Sequence, residues 1–164
     1  MMGEGAQFAA VLERIGRAVI AQLDTLSDAD LNRPLPLADT NTLFALGTHL
    51  VGAGEFWVLT LAGGRPSDRN RLAEFHATGH GADLLARYER WLTAVHEVLD
   101  DLPDAAMARP ANPPLEYRNM PGMAQDGPFT VRECLLHAVE HSALHQGHIE
   151  ITRQIVLARR GEGE

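Results

Sequence analysis

The chain has 164 residues, 45% hydrophobic and 22% charged, which suits one globular domain over residues 1–164 able to bury a core without disulfides. Fourteen basic against 22 acidic side chains leave a net charge of -8, which repels a phosphate backbone and argues against nucleic acid as a partner. No apolar run is read as approaching a membrane span, "MMGEGAQFAA" lacks the pattern of a secretory signal, and the single Cys134 suits a reducing compartment, so the expectation is a cytoplasmic protein without a membrane partner.

Residues 4 to 25 carry Phe8, Val11, Leu12, Ile15, Val19 and Leu23 at helical spacing, and "SDAD" and "NRPLP" end the pattern. The second predicted helix runs from about Asn41 to Leu61, with Leu43, Leu46, Leu50, Ala53, Trp57 and Leu61 on one face, and "GGRPSD" stops it. The third covers residues 82 to 101, where Leu84, Leu85, Tyr88, Trp91, Leu92, Val95 and Leu99 share a face ahead of Pro103.

From Pro103 to Pro128 six prolines make a long loop, of the kind that often carries function. The fourth helix opens at Thr130, where Glu133 completes a T-x-x-E capping box, and runs to about Arg159. The expected fold is therefore all-α: a four-helix bundle with a Pro-rich loop between helices three and four.

The fourth helix contains "HAVEHSALHQGH", with His137, His141, His145 and His148 within roughly 80° of one another on the helical wheel. A wider arc adds Cys134, Ala138, Leu144, Thr152, Ile155 and Val156, so the stripe is expected to face the bundle interior. Buried imidazoles need partners, and one metal ion can serve several at once. Histidines at i and i+4 lie about 5–6 Å apart at Cβ, close enough to share an ion, but overlapping pairs leave the register open. His49 borders the apolar face of helix two and is the candidate third ligand, with a hydrogen-bonded core histidine as the rival reading. "HAVEH" also reads as H-x-x-E-H, the inverted zinc-protease pattern, yet Glu140 points off the stripe. His76, His80 and His96 are left unassigned.

"NTLFALGTHLVGAGEFW" and "LLHAVEHSALHQGHIEITRQ" together resemble the DinB/YfiT-like superfamily of metalloenzymes over nearly the whole chain. The resemblance implies a bundle holding a divalent ion on His49, His141 and His145 with a coordination position left open; three neutral imidazoles suit Zn, Ni, Fe or Cu more than Mg or Ca, and Zn or Ni is expected. His137 and His148 would then flank the ligands without binding directly. It also implies a metal-dependent enzyme acting on a small substrate, either a low-molecular-weight-thiol S-transferase, as in mycothiol-dependent isomerases and bacillithiol transferases, or a hydrolase. No catalytic residue is assigned, and His148 is the best nearby base.

Two other readings stand beside that one. The first is a non-catalytic bundle that binds a metal or a small molecule. The second is a dimerisation module whose histidines are satisfied structurally. Phe44, Val51 and Val58 on helix two and Leu136, Val139 and Leu157 on helix four lie away from the histidines, and their burial on a second face predicts a homodimer under any reading.

Overall fold

A computed structural model describes residues 2–114 and 129–161, so residues 115–128 of the expected Pro-rich loop lie outside the described residues. The described residues form helices and no strand; an isolated bridge joins Pro110 and Thr130. The long helices are α1 (Glu4–Leu23), α3 (Leu43–Gly54), α5 (Gly81–Leu99) and α6 (Val131–Ala158). The short α2 (Asp28–Leu31) and α4 (Arg71–Glu74) lie in the connections on either side of α3, where the sequence suggested only loop.

Local chemistry starts each long helix. Thr42 accepts from the Ala45 amide at the head of α3, and Thr130 and Glu133 form the anticipated capping box at α6. No side chain of its own caps α1, but Asp104 accepts from the Glu4 amide at 2.8 Å, and Arg132 at the start of α6 clasps the Glu4 carboxylate. The two ends of the proline-rich connection are tied at their base, since Ala111 donates to the Phe129 carbonyl and Val131 to that of Arg109.

Helix α3 does not stop at Gly54 but widens into a π-helix over Glu55–Ala62. Gly64, at φ 71°, takes the left-handed turn that ends the run, a conformation glycine adopts without steric cost. The combined run Leu43–Ala62 is long and apolar enough to cross a membrane, contrary to the expectation that no run would be, yet most of it is buried inside the protein. It is the central helix of the core.

Helix α1 packs on α5 and α6, and α3 with its π extension packs on the same two helices. Leu12, Leu46, Leu50, Trp57, Trp91, Leu92 and Leu135 are fully enclosed between them. The Tyr88 hydroxyl donates to the Gly47 carbonyl at 2.9 Å, tying α5 to α3 and satisfying a buried polar group.

Burial revises two expectations. Phe44, Val51 and Val58 are buried within the single chain, so they offer almost no surface to a second copy. Leu144, expected on the inward arc of α6, is 69% exposed. Ala138, Ser142, Ile149, Thr152 and Val156 mark the buried direction of α6, and the histidine stripe runs along one flank of it. The stripe is therefore a boundary between core and solvent.

Candidate metal centre

His49 projects from α3 and is 3% exposed; His141 and His145 come from successive turns of α6 and are partly buried. One nitrogen from each of the three lies within 4.8 Å of the others. The His49 and His141 Nε2 atoms are 3.2 Å apart, and the ring centroids of His141 and His145 are 4.4 Å apart. Tetrahedral bonds of about 2.0–2.1 Å to imidazole nitrogens imply a ligand-to-ligand edge of roughly 3.3–3.4 Å, close to the His49–His141 spacing.

The electrostatics agree with neutral imidazoles. Burial, reinforced by the neighbouring histidines, pushes His141 down to about 2, and burial with His49 and His148 nearby pushes His145 down to about 4. Metal coordination requires that neutral form. The Nδ1 atom of His145 is buried with no hydrogen-bond partner, an arrangement that costs about 1–3 kcal/mol and that a cation bound at that nitrogen would offset. These residues fit a divalent ion of the borderline class that imidazole prefers.

Glu74, which no sequence pattern marks, completes the cluster. Its Oε2 accepts from His49 Nδ1 at 2.7 Å, and both its oxygens accept from Arg69, at 2.6 and 2.8 Å. Burial raises the Glu74 carboxyl, but the bonds from Arg69 and His49 outweigh it and hold the group below its ordinary value. Phe75 lies against the His49 ring at 4.5 Å between centroids. The only sequence signal for this arm is Asn70, whose side chain caps the four-residue α4 through the Ala73 amide.

The other histidines take separate places. His137 rests on Trp57, 4.5 Å between centroids, half-buried and with its Nε2 unpartnered. His148 is exposed and stacks on His145 at 6.0 Å. Neither joins the group of three. His80 bonds Asp28, and His96 bonds Glu13 and Asp100, so both are satisfied at the surface by carboxylates. Glu140, the base of the protease reading, is exposed.

A cavity of about 690 Å³ is lined by Thr48, Gly52, Phe56, Arg69, Glu74 and Trp91 among others, and by none of the three clustered histidines. Its walls are α3, its π extension, the segment leading through α4, and α5; the described part of the Pro-rich connection does not contribute. Glu74 and Arg69 thus belong both to the cavity and to the histidine cluster.

No curated protein matches the chain. Among solved structures, the crystal structure of the conserved protein of locus from Enterococcus faecalis is similar at a TM-score of 0.72 and 14% identity, over 96% of this chain and 99% of that one. At that identity the likeness speaks for the fold alone. The family model of the DinB superfamily matches residues 11–149, a span that contains His49, Glu74, His141 and His145. The chain belongs to the DinB superfamily.

Proposed function

We propose that this protein is a divalent-metal-dependent enzyme acting on a small substrate, with His49, His141 and His145 as its ligands and Zn or Ni as its ion. The carrying observation is the convergence of three imidazole nitrogens within 4.8 Å, from helices far apart in sequence, in a chain of a metal-associated superfamily. A core that needed only apolar filling would place Leu or Ile at these positions.

The chain's own residues set the conditions. Glu74 orients His49, burial keeps His141 and His145 unprotonated, and the position of α6's stripe at the edge of the core leaves His148 in solvent beside His145. A divalent ion held there would supply Lewis acidity, lowering the pKa of a bound thiol or water so that a nucleophile exists at neutral pH. The reactions this supports are thiol S-transfer and hydrolysis. A second reading, binding without turnover, draws on the acids near the cluster: Glu74 is engaged by two partners and Glu140 faces solvent.

We read the four long helices as a four-helix bundle forming one cytoplasmic domain over residues 1–164. On α6, Leu136, Leu144 and Ile151 are 54%, 69% and 60% exposed, and a homodimer would cover them. Light scattering that shows a monomer removes the dimer.

Metal analysis of protein purified without an affinity tag tests the central reading. Close to one ion per chain is expected, with none in a His141→Ala, His145→Ala double variant; equal content in both overturns the ligand assignment. Assays of the loaded protein with bacillithiol, mycothiol or glutathione and an electrophile then separate enzyme from binder.

A further inference from the structure

We infer that Glu74 is the positioning residue of the histidine cluster, fixing His49 as its Nδ1–H tautomer so that the Nε2 lone pair faces His141 and His145. The tautomer claim stands on hydrogen bonding alone, whereas its consequence for metal affinity rests on the function proposed above.

An ionised carboxylate only accepts, so at 2.7 Å from Glu74 Oε2 the His49 Nδ1 must carry the proton. The other ring nitrogen, 3.2 Å from His141 Nε2, is then an acceptor toward a proton or a cation. Rotation of the ring is opposed on its face by Phe75, the residue following Glu74 in the chain. One short segment therefore holds His49 both by its edge and by its face.

Glu74 is itself held. Arg69 approaches it through Nε and Nη2 in the forked geometry that suits a carboxylate, and the side chains of both are 7% exposed. Arg69 also lies over the Phe56 ring at 5.6 Å. Gly52, one helical turn after His49, admits the carboxylate to the surface of α3: a Cβ there would collide with Glu74 Oε1 and lie 3.4 Å from Arg87 Nη2. The absence of a side chain at position 52 is thus part of the same device.

Position, and not mere bulk, is the role this arrangement suits. A buried ion pair that served stability alone would have no need to spend a carboxylate oxygen on the ring nitrogen remote from the cluster. Outer hydrogen bonds of this kind set a histidine's orientation and raise its basicity toward a metal.

The test reads two quantities. Nitrogen-15 NMR of the histidine rings in metal-free protein reports which His49 nitrogen is protonated, and competition with a chelator reports the zinc Kd. Wild type is expected to show the Nδ1–H tautomer. Glu74→Ala should mix the tautomers and weaken zinc binding about 10- to 100-fold. Glu74→Gln, which keeps an oxygen acceptor, should retain the tautomer and lose less.

Gly52→Ala changes no polar group yet should displace the carboxylate and follow Glu74→Ala in both readouts, which keeps the inference testable if Glu74→Ala does not fold. An unchanged His49 tautomer in Glu74→Ala, or in Gly52→Ala where the former does not fold, overturns the inference. A wild type that shows the tautomer but binds no zinc overturns the metal reading and leaves the positioning role of Glu74 intact.

Discussion

Two regions of this protein handle their titratable side chains in opposite ways. On the outside of α1, α2 and α5 every histidine meets a carboxylate: His80 faces Asp28, and His96 lies between Glu13 and Asp100. The buried Asp30 carboxylate is likewise met by Arg160 and Ser27. Along the seam of α3 and α6 the imidazoles face one another instead, with His49 alone holding a carboxylate partner. The consequence is visible in the proton affinities, raised for His80 and His96 and lowered for His137, His141 and His145. His80 and His96 are thus satisfied by carboxylates within the fold, whereas the imidazoles of the seam face mainly one another.

The largest expected effect tests that contrast directly. Zinc added at about 1,000 times its Kd should stabilise the protein by about 4 kcal/mol, as does any ligand that binds the folded state preferentially. Thermal unfolding with and without zinc measures it. His141→Ala should abolish the increment, whereas His80→Ala should leave it whole. Loss of the increment in His80→Ala would erase the distinction between the regions.

Next in size is the paired region's own contribution. The Asp30 carboxyl, held by Arg160 and Ser27, is lowered from 3.8 to about 2. A depressed carboxyl stabilises the fold above its unfolded pKa, and that stability disappears as pH falls through the folded value. Asp30→Asn is therefore expected to cost about 2 kcal/mol at pH 6 and little at pH 2, as read from denaturant unfolding across that range. A cost that does not change with pH would assign the role of Asp30 to packing.

How much of this contrast the sequence displays depends on the range of the interaction. The four long helices follow from apolar periodicity, and "TVRE" marks the start of α6 as the Thr130–Glu133 box. The π segment does not, since Phe56, Trp57 and Val58 are apolar whichever turn they belong to. His49, His141 and His145 stand out as a residue type in the wrong environment. Glu74 and Arg69 do not, because charged residues after "GGRPSD" look like an ordinary solvated loop. They are buried where α4 packs against α3 and where Arg69 lies over Phe56. Leu144 is exposed against expectation for a related reason: a helical wheel gives the spread of the stripe but not where the neighbouring helices are centred.

A smaller change bears on the seam's margin. His137 is half-buried, with an unpartnered Nε2 beside Trp57, and stands outside the group of three. His137→Leu exchanges that unpaired nitrogen for apolar surface and should stabilise the metal-free protein by about 1 kcal/mol while sparing the zinc increment. If the increment disappears with His137, the ligand set includes it and the register along α6 shifts by one turn.

The smallest effect belongs to His96, the mirror image of the seam. Burial lowers its proton affinity, but Asp100 and Glu13, at 3.0 and 3.1 Å, outweigh that and raise it. A raised histidine stabilises the folded state below its unfolded pKa, and the stability is lost as pH rises through the folded value. The side chain is 35% exposed, so solvent screens the pairs, and His96→Ala should cost under about 1 kcal/mol at pH 6. That cost should shrink at pH 8.5 and in high salt, because both remove the charge interaction and neither touches the packing of α5. The zinc increment should be the same in His96→Ala as in wild type. Two histidines of one chain would then respond to opposite agents, His96 to protons and His141 to a metal. Their difference lies in what each faces, carboxylates in one case and other imidazoles in the other.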